Sequence, residues 1–520
     1  MSRRETEKNP QTPLPALTGK TAQAILWFLV LCAIAGFNRD PRDLLASLKF
    51  QPSQGISIIS RNPVVIDRDD IPAETTRTVA PNVTLRDAAK VVGIDLDSED
   101  LTGSLQPIED PTGLAMRSFY EALARTKNKE PGAITRILHF GDSLVVVDFL
   151  TGQARRRLQT LFGDSGHGYM LAGKPWRWYQ HWDVTYRTSG SWRIDGIMKH
   201  AQGQYFFGLG GYAFDGYTTS EWVEWGTNHN GEYGRNVGRF EIHYLRQPGG
   251  GSFDLFVDGK PFGRVSTASP QVRSGLHTVR VPDGPHKIRL QCAGDGVVRV
   301  FGGVLERDMP GIVYDTLGIN GARARTLDRL NGAFWAEQLR LRKPHLIVLN
   351  FGTNESEDDG RPMDQVEQDY LAVLQRIRAA VPEASCLVMS PLDRAARVDG
   401  VLTTKPIIPR LVDTQRRAAL KAGCAFFNTY QSMGGKGSMA KWYAAKPKLC
   451  AGDMTHPTRR GADIIGDNLY RSLVIGYVAH SGQTMIATDG GVMPAGLYRP
   501  LLPLEPDPYP PLPEWPRLPE

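Results

Sequence analysis

Apolar and polar positions follow three different rhythms along the chain. In two stretches, from about 111 to 172 and from about 311 to 480, short unbroken apolar runs alternate with segments whose apolar residues recur three and four apart. The runs "ITRILHF" (134–140), "IVYDTLGI" (312–319), "HLIVLNFGT" (345–353), "SCLVMSP" (385–391) and "CAFFNTY" (424–430) predict strands buried on both faces. The 3.6-residue period predicts helices in "GLAMRSFYEALARTKNKEPG" (113–132), where Phe119, Tyr120 and Leu123 share a face, and in "DFLTGQARRRLQTLFGD" (148–164). Further helices are expected near 323–341, 364–381, 407–422 and 458–478, giving βαβ repetition and a parallel sheet. Between the two stretches the rhythm changes. "RWYQHWDVTYRTSGSW", "RFEIHYLRQPGGGSFDLFVDGKPFGRVSTAS", "HTVRVPDGPHKIRLQCA" and "GVVRVFGGVLE" alternate with period two around "DG" and "GG" turns. That pattern predicts an antiparallel β-sandwich over 173–310, inserted into one α/β domain.

The ends differ from both. Residues 1–20 are polar with a basic surplus, and "TAQAILWFLVLCAIAGF" (21–37) is apolar and uncharged. Its length lies between a signal-peptide core and a minimal membrane span. "AIA" at 33–35 suits cleavage, whereas the long polar leader argues for an uncleaved anchor with the amino terminus inside. Either outcome exports the remainder to the periplasm or cell envelope and makes the inner membrane a partner if the segment is retained. Residues 38–110 form a linker or stalk with one helix-like stretch at 84–94, and 481–520 a proline-dense extended tail.

A chain of 520 residues needs more than one folding unit, and its 41% hydrophobic and 22% charged composition is globular. The net charge of +6 favours anionic surroundings but is too diffuse to indicate nucleic acid, for which no binding motif is present. Beyond Cys32, the four cysteines 292, 386, 424 and 450 lack metal-ligand spacing, and no metal or other cofactor is expected. They allow one or two disulfides in an oxidising compartment, or buried free thiols.

Polar signatures stand at the carboxyl ends of the expected strands, where open α/β sheets bind ligands. "GDS" (141–143) follows the first strand, "INGARA" (319–324) the second and "GTNE" (352–355) the third, while "DMTHP" (453–457) precedes the last helix. Singly, each is a turn, a helix cap or a surface pair. In this order they resemble the SGNH (GDSL) hydrolases, over about 111–172 and 311–478. The resemblance implies a flavodoxin-like three-layer α/β fold. It also implies Ser143 as nucleophile, Asp453 and His456 as acid and base, and the N–H groups of Ser143, Gly321 and Asn354 as oxyanion donors. Gly318 is a second glycine in the same region, and Glu355 stands where many members carry Asp. A serine hydroxyl needs an imidazole to take its proton and a carboxylate to hold that imidazole, so the residue types fit the roles. His139 is expected on the sheet face opposite Phe140, as core.

The layout, with "GDS…D…TG…LR…LQ…FGDSGHGY" and an inserted sandwich like a carbohydrate-binding jelly roll, is most similar to peptidoglycan or polysaccharide O-acetylesterases. An O-acetylated glycan is then the implied substrate. Asp142, Trp176, Trp178 and Trp442 are candidate substrate contacts, with "WRWYQHW" (176–182) as an aromatic platform and "GGKGSMAKWYAAKPKL" (434–449) as a basic rim. An O-acetyltransferase with the same site, or a glycan-binding scaffold with a silent site, are the alternatives.

Overall fold

The computed structural model describes residues 106–481, apart from 201, 202, 204 and 359, together with the short strands Met485–Thr488 and Gly491–Pro494. The expected anchor at 21–37, the helix at 84–94 and most of the 38–110 linker lie outside these residues. The end of that linker is docked: Glu109 exchanges backbone hydrogen bonds of 2.8 and 2.9 Å with Phe426. The strands at 485–488 and 491–494 pair as a hairpin, where an extended tail was expected.

All five apolar runs form strands of one parallel sheet. In sequence they are Ile134–Gly141, Gly311–Gly318, Leu346–Asn350, Ser385–Met389 and Ala425–Phe427, and their spatial order is second, first, third, fourth, fifth. This is the flavodoxin-like order, whose switch point lies between the first and third strands. Both faces are covered, as continuous apolar strands require. Leu138, Phe140, Leu349 and Val388 face one core with Trp335, Leu374 and Leu411. Ile137, Tyr314, Val348 and Leu387 face the other with Phe119, Leu123, Leu158 and Leu473. The helices Arg117–Lys127, Phe149–Phe162, Met363–Ala380, Ile407–Lys421 and Arg459–Ser481 supply these layers. A disulfide joins Cys386 and Cys424, while Cys292 and Cys450 are buried free thiols.

One expected helix is broken, and a short additional one precedes the expected helix at 148–164. Over 323–341 a 3₁₀ turn, Ala324–Arg329, precedes the helix Gly332–Arg342, because Asn331 accepts the Phe334 N–H and restarts the chain. Behind "GDS" the helix Ser143–Val146 stops, and Asp148 takes a left-handed conformation before Phe149–Phe162 begins. The buried Asp148 carboxylate accepts from Thr151 Oγ1, both terminal nitrogens of Arg155, Thr316 Oγ1 and the Trp182 N–H. A carboxylate carried inside needs such partners, and the break delivers them.

The alternating segments form two antiparallel sheets. One runs Arg273–Gly284, Val237–Arg246, Val298–Glu306, Tyr212–Gly216, Arg193–Gly196; the other Val184–Thr188, Trp222–Thr227, Lys287–Cys292, Ser252–Val257, Lys260–Ser266. Their inward residues, among them Trp225, Phe240, Leu290 and Val300, belong to the same continuous core as Phe140 and Leu349. The strand Gly168–Leu171, upstream of residue 173, also pairs with Val298–Glu306.

Candidate active site

The switch point brings the four polar signatures together. Ser143 opens its short helix directly beyond the first strand, and its Oγ lies 2.8 Å from His456 Nε2. His456 Nδ1 is 2.6 Å from Asp453 Oδ2, and Asp453 Oδ1 accepts the N–H groups of Thr455 and His456 at 3.0 Å each. Burial pushes the Asp453 carboxyl up, but the hydrogen bonds and charge of His456 hold it below the usual carboxylate range. An ionised carboxylate therefore faces Nδ1, which leaves Nε2 free to accept a proton from the serine. Pro457 lies just outside the last helix. It pairs with Cys450 in a single bridge, and the helix begins at Arg459.

Beside Ser143, Asn354 donates from Nδ2 to the Ala322 carbonyl at 2.9 Å. The bond seats its side chain against the turn containing Gly321 and leaves one amide hydrogen for another acceptor. The two glycines now separate. A Cβ on Gly318 would lie 2.4 Å from the Val146 nitrogen, so Gly318 lets the Ser143 helix pack on the sheet. Gly321 has φ +74°, where glycine is favoured, and a Cβ there would meet only Met198 Cε, at 3.9 Å. Gly321 therefore serves the shape of the turn.

Glu355 is buried and ties the two loops together. Its Oε1 accepts the Ala324 N–H at 2.8 Å and the Tyr370 hydroxyl at 3.3 Å. Burial, with Asp142 nearby, pushes its pKa up to about 7 against the pull of the Ala324 N–H. A carboxyl raised in the folded state favours folding while protonated, below its ordinary 4.5, and that contribution is lost as pH rises through 7. Glu355→Gln should therefore gain stability relative to the parent across pH 4.5 to 7, by about 3 kcal/mol above it. Urea midpoints at pH 5 and pH 8 measure this, and an unchanged difference between the two would refute it.

Among the candidate substrate contacts, two are corrected. Asp142 is fully buried and accepts the Leu144 N–H at 3.1 Å, which makes it the cap of the Ser143 helix. Trp442 is 1% exposed and packs under the rim with Met439, Met454 and Leu144. Burial by distant elements closed both, and no local pattern announces that. Trp178 is half-buried against the same cluster, with Arg177 stacked 4.3 Å from its ring, whereas Trp176 packs on the main core. Lys436, Lys441, Lys446 and Lys448 are exposed along the rim. His139 is buried, 2.8 Å from the Tyr314 hydroxyl, and burial pushes its pKa down to about 3, so it is a neutral core residue.

Asp148, His167 and His181 bring ligand-type atoms within 4.8 Å of one another. They do not suit a cation. Five donors, two of them from Arg155, occupy the carboxylate, and His181 is bonded at both ring nitrogens, to His167 and Tyr179. A cavity of about 890 Å³ opens at the opposite, amino edge of the sheet, around Ala133, Arg136, Arg342 and His345. It is remote from Ser143.

Sequence reasoning missed Arg394, whose guanidinium bonds Thr353 and Thr455. The signal was present, since "DR" at 393–394 stands just past the carboxyl end of the fourth strand.

Residues 283–464 match the model of the GDSL-like lipase/acylhydrolase family, a span holding Gly321, Asn354, Asp453 and His456 but not Ser143. No curated protein sequence matches the chain. A solved structure of a peptidoglycan O-acetylesterase superposes with a TM-score of 0.58 at 21% identity, over 68% of this chain and 95% of its own, a likeness of fold. A family two carbohydrate esterase from Clostridium thermocellum aligns over 55% of this chain and 97% of its own, at 13% identity and a TM-score of 0.25.

Proposed function

We propose that the chain is a GDSL-like serine esterase that removes O-linked acetyl groups from a cell-envelope glycan, with peptidoglycan the first candidate. The observation that carries the chemistry is the continuous hydrogen-bonded chain from Ser143 Oγ through His456 to Asp453. In this reading Ser143 Oγ attacks the acetyl carbonyl carbon while His456 Nε2 takes its proton. The oxyanion is met by the N–H groups of Ser143 and Gly321 and by the Asn354 amide, each such donor being worth about 3 kcal/mol of barrier. Collapse breaks the bond to the sugar oxygen, which leaves with the proton from His456. Water, deprotonated by His456, then hydrolyses the acetyl-enzyme and releases acetate.

Substrate class rests on supporting features. The likeness in fold to a peptidoglycan O-acetylesterase spans nearly all of that protein. The exposed lysines of the rim suit an anionic polymer, and Trp178 offers an apolar ring beside the site. Export is supported by the Cys386–Cys424 disulfide, which suits an oxidising compartment. No helix among the described residues is long and apolar enough to cross a membrane, so anchoring would fall to the 21–37 segment.

Acetate release from O-acetylated peptidoglycan and acetylxylan, with p-nitrophenyl acetate as a chemical control, tests both levels. Release is expected from peptidoglycan in preference to xylan. Turnover of the control alone would reject the glycan, and no turnover of any ester would reject the chemistry.

A further inference from the structure

The two loops that carry the base and the amide donor come from distant parts of the chain, and one side chain spans them. Arg394 lies just past the carboxyl end of the Ser385–Met389 strand and is 9% exposed. Its Nε and Nη2 both donate to Thr455 Oγ1, at 3.1 and 2.9 Å. Its Nη1 donates to the Thr353 carbonyl at 3.0 Å and to Ser356 Oγ. Nη2 completes the set with Glu357 at 2.5 Å. These contacts match the five N–H groups of a guanidinium, and four of the five go to neutral atoms of the two loops.

The placement of those atoms is the informative part. Thr353 immediately precedes Asn354, and Thr455 immediately precedes His456. Thr455 Oγ1 in turn donates to the Asp453 carbonyl at 3.0 Å, so the Arg394 contact reaches the whole 453–456 turn. Next to it, the Ala395 N–H donates to the Met454 carbonyl at 3.3 Å. A planar fork on one rigid group therefore connects the residue before the amide donor to the residue before the base.

We propose that Arg394 is a positioning residue that fixes the separation of His456 from Asn354, so that one oxygen-bearing substrate carbon can meet both. The inference rests on the esterase reading above. Arg394 itself touches neither Ser143 nor the acyl group. A lysine cannot replace it, because an ammonium is a point donor that cannot reach both loops in one plane. Nor does the fork serve charge balance alone, since its one carboxylate, Glu357, has a side chain 53% exposed.

The test compares Arg394→Lys, Arg394→Met, Thr455→Val, Thr455→Ser and the Arg394→Met/Thr455→Val double variant on p-nitrophenyl acetate, with melting temperatures alongside. A displaced catalytic group costs on the order of 100-fold, so kcat should fall about 10- to 100-fold in Arg394→Lys, Arg394→Met and Thr455→Val, with KM little changed. Thr455→Ser, which keeps the hydroxyl, should retain the parental kcat. The double variant should be no worse than Arg394→Met, because both act through one contact. If Arg394→Met fails to fold, the Thr455 pair alone decides. Parental kcat in Thr455→Val, or fully additive losses in the double variant, would overturn the proposal. An inactive parent would instead reject the esterase reading on which it stands.

Discussion

Ser143→Ala, His456→Ala and the double variant should fall to one common residual rate, on the order of 10⁴- to 10⁶-fold below the parent in kcat on an acetyl ester. The reasoning begins with the 2.8 Å contact between Ser143 Oγ and His456 Nε2. A hydroxyl with no base does not attack at neutral pH, and a base with no hydroxyl has nothing to activate, so either loss removes the same step. What survives is the pull of the oxyanion donors on bound substrate. Asp453→Asn should cost about 10⁴-fold by a different route: the amide can donate to Nδ1 and turn the imidazole so that Nε2 carries the proton. Ser143 is almost closed to solvent, and alanine fills its place without a clash, so the melting temperature should hold in that variant. Steady-state kinetics on purified protein, with fluorophosphonate labelling of the parent serine, measure the set. Independent, multiplying losses from Ser143→Ala and His456→Ala would show that the two residues do not act as one unit.

The parts of the site legible in the sequence are those that stand next to strand ends. Ser143, Asn354 and the 319–324 turn each directly follow an apolar run, and the parallel topology makes every such end a neighbour of the others. Asp453 and His456 were legible for a different reason, their spacing of three within one turn. What was not legible depends on partners far away in sequence. Asp142 and Trp442 carry polar or aromatic groups that look available, but packing from other elements buries them. The helix break at Asp148 follows from donors as far off as Thr316, and no local propensity contains that information. Gly318 and Gly321 are indistinguishable as letters. Only the 2.4 Å approach of the Val146 nitrogen tells the packing glycine from the turn glycine. Arg394 is intermediate: its place past a strand end was legible, but its partners at 353–357 and 455 were not.

Arg342→Met should cost about 3–5 kcal/mol of stability, against a usual total of about 5–15 kcal/mol for a domain. Arg342 is buried at the end of the Gly332–Arg342 helix. It donates to Asp315 at 2.8 and 3.0 Å, to Glu306 at 2.9 Å and to Glu241 at 3.1 Å. Asp315 belongs to the parallel sheet, whereas Glu306 and Glu241 belong to the antiparallel one, and Arg136 from the first parallel strand completes the Glu306 pair at 2.8 and 3.0 Å. Burial pushes Glu306 up, but Arg342 and Arg136 hold it well below the usual carboxylate range. Taking Arg342 away leaves the buried Asp315 without its guanidinium, with the Tyr169 N–H still donating to it, and leaves Glu306 with Arg136 and Arg239 alone, so the loss falls on both sheets at once. Urea unfolding should show one cooperative transition shifted as a whole; two separated transitions, or a loss under about 1 kcal/mol, would contradict the coupling. The same geometry bears on the β-rich segment as a unit. Residues 173–310 alone lack the Gly168–Leu171 strand that pairs with Val298–Glu306, and keep only Arg239 of the three arginines that neutralise Glu306. Their core also continues into Phe140, Leu317 and Trp335. The excised segment should therefore stay unfolded by circular dichroism.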